Sequence, residues 1–299
     1  MRRSLAAVAA ALLVLGACAK NEPTSPSAGA GGTPSCSTDQ LPLLKPGTLT
    51  VGTDVPAFQP WFGGTGSYGP WKGVPSHGTG NPSSGEGFES AVTYAIADQL
   101  GFSHGDVRWV PVPFNESFKP GQKPFDFDIN EISYNADRAQ VVTFSDGYYD
   151  VQQALVAVKG TPIANATTFA DLKQYKLGAQ IGTTSYSYIT DNIQPDQQPA
   201  VYDKSADVIA ALNAGQIDGY LTDAPTAYVN VLISQVKDGV VVGQFPTIGD
   251  QEYFGLVLQK GNSLVTCLNQ AIAAVKSDGT LDRLQSKWLK PVTFPEIQQ

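Results

Sequence analysis

In the stretch FDFDINEISYNADRAQ, residues 125–140, apolar and polar residues alternate as far as Asn130, after which Glu131, Ser133 and Arg138 fall close together. An arginine can grip a carboxylate with two parallel hydrogen bonds, and a carboxylate accepts from an ammonium. Elsewhere, other β-like runs end at groups of the same kind. The run TLTVGTD ends at Asp54, with Phe58 and Trp61 soon after; VRWVPVPF ends at Phe114; KLGAQIGTT ends at Gly182, Thr183 and Thr184; IDGYLTD ends at Asp223. A helix opening at Thr183 and Thr184 would offer free amide donors to the anion that Arg138 holds. Asp223 with Glu131 suits an amino group, and Phe58 and Phe114 supply flat apolar walls. The combination describes a free amino acid held by both ends.

Each group also has an ordinary structural use. Asp223 lies two residues before Pro225 and can cap the helix that begins there. Arg138 can pair with Asp137 or Asp146 on the surface, Phe58 and Phe114 can belong to a core, and many strands end in a Gly-Thr turn. Only the set taken together points to a ligand.

The elements that must carry these residues alternate. FESAVTYAIADQLG (88–101) places Phe88, Val92, Ile96 and Leu100 on one helical face before a stopping glycine, between the strand-like runs at 48–54 and 107–114. QALVAVKG (153–160), KLGAQIGTT (176–184) and IDGYLTD (217–223) then alternate with helix patterns at 168–175 and 205–216. EYFGLVLQKG (252–261) is a further strand, followed by an amphipathic helix over 263–289 broken at Gly279. This rhythm implies an α/β protein with largely parallel sheets. In such sheets ligands bind outside the carboxyl ends of the strands, where the groups above lie. Residues 63–87 are rich in glycine and proline, as either a long surface loop or a lid.

Arg2 and Arg3 precede an apolar run, Leu5 to Leu15, too short to span a bilayer as a mature helix but suited to a secretory signal. Leu15-Gly16-Ala17-Cys18 resembles a bacterial lipoprotein signal, in which cleavage leaves Cys18 lipidated; an ordinary secretory signal with a chance cysteine is the alternative. Residues 18–36 read as a flexible tether. Losing residues 1–17 removes two arginines and no acid, which takes the formal net charge from −8 to −10. Such a surface is a poor electrostatic match for nucleic acid. About 260 residues remain, enough for one large or two modest domains. Cys36 and Cys267 form an even pair in an oxidising compartment and suit a disulfide, with two separately buried thiols as the alternative.

The ordered segments GFE (87–89), FDFDINEISYNADRAQVVTFSDGYYD, ADLKQYKLGAQIGTTS, ALNAGQIDGYLTDAPTA, FGLVLQKGN and DGTLDRLQSKWL closely resemble the extracellular solute-binding proteins of polar amino acid ABC transporters, over about residues 45–290. The resemblance implies a two-lobed periplasmic-binding-protein-like fold of type II. Each lobe would be a mostly parallel sheet flanked by helices, with two crossing hinge strands near Asp150–Val156 and Glu252–Val257. Lobe 1 would hold 37–151 with 255–299, and lobe 2 would hold 152–254. Arg138 and the Thr184 amide, beside Thr183, would take the ligand carboxylate. Asp223 would take the ammonium, aided by Asn130, Glu131 and Ser133. Phe58 and Phe114 would flank the side chain, with Asp54 at its far end. Glu131 stands where the family commonly has serine or glycine, so its carboxylate would either select a cationic side chain or add to ammonium binding.

The function implied is capture of an amino acid outside the cytoplasm and delivery to an ABC permease, by a monomer anchored to the cell membrane through Cys18. No catalytic residue, cofactor or metal is expected: the two histidines, His77 and His104, both fall in loop sequence. Two alternatives use the same cleft. One is an enzyme resembling cyclohexadienyl dehydratases, with Glu131 as general acid; the other is a sensor partner that docks to a membrane receptor when loaded.

Overall fold

The computed structural model describes residues 36–289 and 293–299; the signal residues, Cys18 and the tether up to residue 35 lie outside them. The first lobe begins with β1 (Leu49–Thr53), buried along its whole length. An insertion follows, made of β2 (Ala57–Phe58), β3 (Gly66–Tyr68), β4 (Trp71–Gly73) and β5 (Thr79–Gly80), in which β2 pairs with β5 and β3 with β4. Next come α1 (Phe88–Gln99), β6 (Val107–Pro111), α2 (Phe114–Ser117), β7 (Phe127–Asp128), α3 (Ala136–Val141) and β8 (Val142–Asp150). The chain then enters the second lobe through β9 (Gln153–Val158), α4 (Phe169–Leu172), β10 (Leu177–Gln180), α5 (Thr184–Tyr188), β11 (Ala200–Tyr202), α6 (Ser205–Asn213), β12 (Gly219–Asp223), α7 (Ala224–Leu232) and β13 (Gly239–Gln244). It returns to the first lobe as β14 (Tyr253–Gln259), α8 (Leu264–Ser277) and α9 (Thr280–Trp288).

The two sheets repeat one plan, β6-β1-β7-β14-β8 and β11-β10-β12-β9-β13. In each, one strand opposes its neighbours: β14 runs antiparallel to β7 and β8, and β9 to β12 and β13. Both odd strands have just crossed from the other lobe. A chain entering at the hinge end must run against strands whose carboxyl ends point toward that hinge. The crossings are tied together, with the Val151 amide donating to the Glu252 carbonyl at 2.8 Å and Gln251 Nε2 donating to the Val151 carbonyl at 2.9 Å.

Helix α1 lays Phe88, Val92 and Ile96 into the first-lobe core with β1 and β14, all three at 0 % exposure. Burying each such side chain is worth about 1.5–3 kcal/mol. The second sheet has a core on each face, one around Leu155 and Phe245 and one around Val156 and Tyr220. The alternation of β9 sends successive residues to opposite sides.

Three expectations are corrected. The strand expected over FDFDINEIS ends at Asp128, because Glu131 has φ +53°, outside the extended region. The strand expected to reach Phe114 ends at Pro111, and Phe114 opens α2; Pro111 and Pro113 lack the donors a longer strand would need. The C-terminal residues do not stay with the first lobe: Gln298 bridges Thr168, Glu296 bridges Gln244, and Ile297 is buried in a second-lobe core.

Cys36 and Cys267 are bonded, with Cα atoms 5.5 Å apart, fastening the start of the fold to α8 across 231 residues of sequence. Closing so long a loop restricts the unfolded chain and stabilises the fold by a few kcal/mol. Replacing both cysteines with serine is therefore expected to lower Tm by roughly 5–15 °C, with ligand affinity within about twofold because neither cysteine lines the cleft. Calorimetry and binding titration on the double variant check both.

Candidate functional site

The ten residues singled out by sequence, Asp54, Phe58, Phe114, Asn130, Glu131, Ser133, Arg138, Thr183, Thr184 and Asp223, all line one interlobe cavity of about 290 Å³. Seven come from the first lobe and three from the second. Closeness along the chain explains little of this, since the sheets bring together strand ends up to 170 residues apart.

Arg138 sits in α3, whose N-cap Asn135 accepts from the Arg138 amide at 2.8 Å. Its guanidinium donates to the Ser133 carbonyl and, across the cleft, to the Gly182 carbonyl, each at 2.6 Å, and lies 4.2 Å from the Phe118 ring centroid. Neither Asp137 nor Asp146 pairs with it, and among the described residues it has no carboxylate within salt-bridge distance. Burial lowers its pKa to about 10, against the opposing field of Glu252. Gly182 has φ +75°, and a Cβ there would fall 2.7 Å from Asn115 Oδ1, so the turn that aims its carbonyl at Arg138 requires glycine. Thr183 caps α5 through Tyr186, leaving Thr184 in the first turn with its hydroxyl near that of Ser133, 3.3 Å away, and donating to Glu252.

At the other end, both uses foreseen for Asp223 meet in one residue. Its Oδ1 caps α7 by accepting from the Thr226 amide at 2.9 Å, and the side chain also lines the cavity. Glu131 faces it, accepting from Thr226 Oγ1 at 3.1 Å, while its own amide donates to Glu89 Oε1 at 2.6 Å. That bond holds the left-handed backbone at a position where glycine would be unstrained. Tyr148 also donates to Glu89.

These carboxyl groups crowd one another. Burial pushes Asp223 up to about 6 and Glu89 up to about 8. Burial, then the charges of Asp223 and Glu89, raises Glu131 well above the carboxylate range. Asp54 is raised by burial as well; its Oδ1 accepts from the Val55 amide at 2.6 Å, and its carbonyl accepts from Trp71 of the insertion. Among the described residues, none of these carboxyl groups has a cation within salt-bridge distance.

Phe58 and Phe114 are half-buried and both line the cavity, and Phe114 also packs against the small core of Ile132, Val142 and Val257. The insertion meets the second lobe: Gln235 Nε2 donates to the His77 carbonyl at 3.3 Å, and a Cβ on Gly78, at φ +73°, would fall 2.2 Å from that nitrogen. It therefore covers one side of the cleft. Sequence reasoning missed Gln153, Lys204, Ser205 and Thr222, which line the same cavity, and Glu89 behind it. Lys204 and Ser205 open α6 as Asp223 opens α7, so the strand-end rule applied to β11 would have found them. Glu89 gave no signal, because an acid in the first turn of a helix already has a use there.

Two α/β lobes that meet over a charged cleft and are joined by paired crossings define a hinged binding protein. The chain belongs to the bacterial extracellular solute-binding proteins, family 3, whose pattern it matches over residues 66–291. It is similar to the ABC transporter arginine-binding protein 1 of Escherichia coli K12, at 32% identity over 172 residues covering 56% of this chain and 67% of that one. It is also similar to the ABC transporter glutamine-binding protein GlnH of Bacillus subtilis 168, at 29% identity covering 71% and 77%. Among solved structures it resembles the ancestral amino acid-binding protein AncCDT-1, a precursor of cyclohexadienyl dehydratase. There the TM-score is 0.63 at 26% identity, covering 82% of this chain and 96% of that one.

A carboxyl whose folded pKa is raised lends stability in full below its unfolded value, near 4, and loses it as pH rises through the folded value. For Asp223 the loss runs from about pH 4 to about pH 6 and for Glu89 from about pH 4 to about pH 8, complete above those folded values. The Tm of the ligand-free protein should therefore decline from about pH 4 to about pH 8. Asp223→Asn, which keeps a capping oxygen, should decline less. Equal slopes for the two proteins would reduce Asp223 to a helix cap.

Proposed function

We propose that the protein captures an amino acid with a cationic side chain outside the cytoplasm and hands it to an ABC permease. The observation that carries this reading is Arg138, a buried guanidinium without a carboxylate partner, opposite carboxyl groups without a cation. In this reading the ligand carboxylate binds between Arg138 and the first turn of α5, with Ser133 and Thr183 beside it. Its ammonium meets Asp223 and Glu131 near Asn130, while Phe58 and Phe114 flank the side chain and Asp54 takes its end. With all of them ionised, Asp54, Glu131 and Asp223 against Arg138 and Lys204 leave one negative charge in excess, so a ligand of net charge +1 balances the lining and favours the ionised forms of Glu131 and Asp223. The arginine-binding relative agrees with that choice. Attachment to the membrane by lipid on Cys18, and action as a monomer, complete the proposal.

Closure follows from the same charges. Each lobe alone exposes its half of the cleft to water, and ligand charges replace that water when the lobes meet.

A second reading has one observation in its favour. A carboxyl raised well above its usual range, as Glu131 is, suits a general acid for dehydration of a prephenate-like substrate. The same shift arises in a binding group with like charges around it, and no turnover of prephenate by the purified protein is expected. Steady turnover that Glu131→Gln abolishes would replace the binding reading with an enzymatic one.

The main test is a thermal-shift screen of refolded, ligand-free protein against the twenty amino acids with ornithine and citrulline, since a ligand specific to the folded state raises Tm by mass action. The largest shifts are expected from L-arginine, L-lysine and L-ornithine. Arg138→Lys keeps the charge but loses the two-pronged grip, and should weaken binding by about 2 kcal/mol, roughly thirtyfold. No shift with any amino acid would end this proposal.

A further inference from the structure

Thr226, the third residue of α7, belongs to the second lobe, yet its hydroxyl is bonded twice to the first. It accepts from Trp61 Nε1 at 2.7 Å and donates to Glu131 Oε2 at 3.1 Å. Trp61 has 0 % exposure, and its ring makes edge-to-face contacts with Phe88, Tyr149 and Phe254 at 6.0, 5.6 and 5.4 Å between centroids. The first-lobe core therefore fixes the direction of the indole N–H. An indole nitrogen can only donate, so the hydroxyl accepts from it and turns its own hydrogen toward Glu131. Oε2 of Glu131 is thereby held as an acceptor, and a proton on that carboxyl group is left to Oε1.

Glu131 and Asp223 hydrogen-bond to each other through their side chains, and the groups around them decide which one carries the proton. Asp223 accepts from the Thr226 amide at 2.9 Å through Oδ1 and from the Thr222 hydroxyl at 3.4 Å through Oδ2, at the N-terminus of α7. Two donors and the start of a helix favour a carboxylate there. Among the described residues, Glu131 has the Thr226 hydroxyl as its one such donor. It faces Asp223 of the second lobe and Glu89 of α1, and Tyr148 of β8 and Tyr220 of β12 are the other titratable groups within reach of its charge. Neither Arg138 nor Lys204 is within salt-bridge distance of it. Burial raises both carboxyl groups, Glu131 well above the carboxylate range and Asp223 to about 6, in keeping with Glu131 as the proton's holder.

These are the two groups assigned above to the ligand's ammonium, so this inference rests on the amino acid reading. We propose that Thr226 is a positioning residue whose hydroxyl turns the proton of Glu131 toward Asp223, and that the ligand's ammonium takes the place of that proton and expels it. An ammonium brings N–H donors for both carboxylates and a positive charge between them. Glu131 then becomes a carboxylate, its proton passes to the solvent, and one positive charge between the two groups is exchanged for another. The same set of contacts ties capture to closure. Trp61 and Glu131 stand on one lobe and Thr226 and Asp223 on the other, so the hydroxyl finds both its partners when the lobes meet.

Calorimetric titration of the intact protein with L-arginine, in buffers of low and of high ionisation enthalpy, counts the protons released per ligand bound. The parent is compared with Glu131→Gln, Thr226→Val and Thr226→Ser from about pH 6.5 to about pH 8.5. At the acid end the parent is expected to release about one proton, with affinity rising about tenfold per pH unit before it levels off. Glu131→Gln keeps an acceptor for Thr226 and a donor for Asp223 but has no proton to lose, and should bind more weakly with no release. Thr226→Val removes the donor that favours the ionised form of Glu131. Its affinity near pH 7 should fall about tenfold, and the levelling-off should move up by roughly 0.5–1 pH unit. Thr226→Ser should restore the parent's profile, which separates the hydroxyl from the packing of α7. L-Arginine binding with no proton released, or undiminished release in Glu131→Gln, would overturn the inference and leave the amino acid reading standing. A Thr226→Val profile that superimposes on the parent's would overturn the positioning role. Failure of L-arginine and of every other amino acid to bind would remove the reading and the inference together.

Discussion

The cost of burying an unpaired charge shapes this molecule more than any other interaction. Arg138 keeps its guanidinium against two carbonyls and a phenylalanine ring, while Glu131, Asp223 and Glu89 crowd together at the opposite end of the cavity. Carbonyl oxygens satisfy some of the guanidinium's donors without neutralising its charge, and a threonine hydroxyl does the same for Glu131. A single folded core would have paired these groups or replaced them with apolar residues. Two lobes keep them because a cleft can be wet when open and filled when shut.

The rest of the architecture serves that alternation. Paired crossings at Val151 and Glu252 restrict the motion between lobes, and each crossing strand enters its sheet beside strands whose carboxyl ends face the cleft. Side chains at those ends are therefore held as one set on each lobe. Asp223 shows the economy of the plan: the cap that starts α7 also points a carboxyl group into the cavity, so the helix and the site share one residue. Glu131 shows its strain, with a left-handed backbone pinned by a buried glutamate behind it.

The insertion changes what a plain two-lobed cleft would be. By reaching Gln235 through the His77 carbonyl, and by bringing Gly78 against the same side chain, it meets the second lobe beside the cleft. Trp71, from the same insertion, holds the carbonyl of Asp54. A segment poor in apolar periodicity thus takes part in shaping two ends of the cavity.

The sequence by itself determined the α/β alternation, the helix boundaries marked by Thr168, Asp223 and Gly279, and the strand ends where ligand groups would sit. Those features are local: capping, periodicity of 2 or 3.6, and glycine at left-handed positions act within a few residues. It also marked ten of the residues that the fold gathers around one cavity, because strand-end chemistry is readable once the sheets are known to be mostly parallel. Tertiary structure alone decided three things. The return of the C-terminal residues to the second lobe depends on pairing with Gln244 and Thr168, far away in sequence. The burial of Glu89 beneath Glu131 depends on how α1 packs against the first sheet. The cover on one side of the cleft depends on how an insertion in one lobe meets Gln235 in the other. Contacts of that kind are fixed by the packing of whole elements, and packing leaves no periodic trace in the chain that makes them.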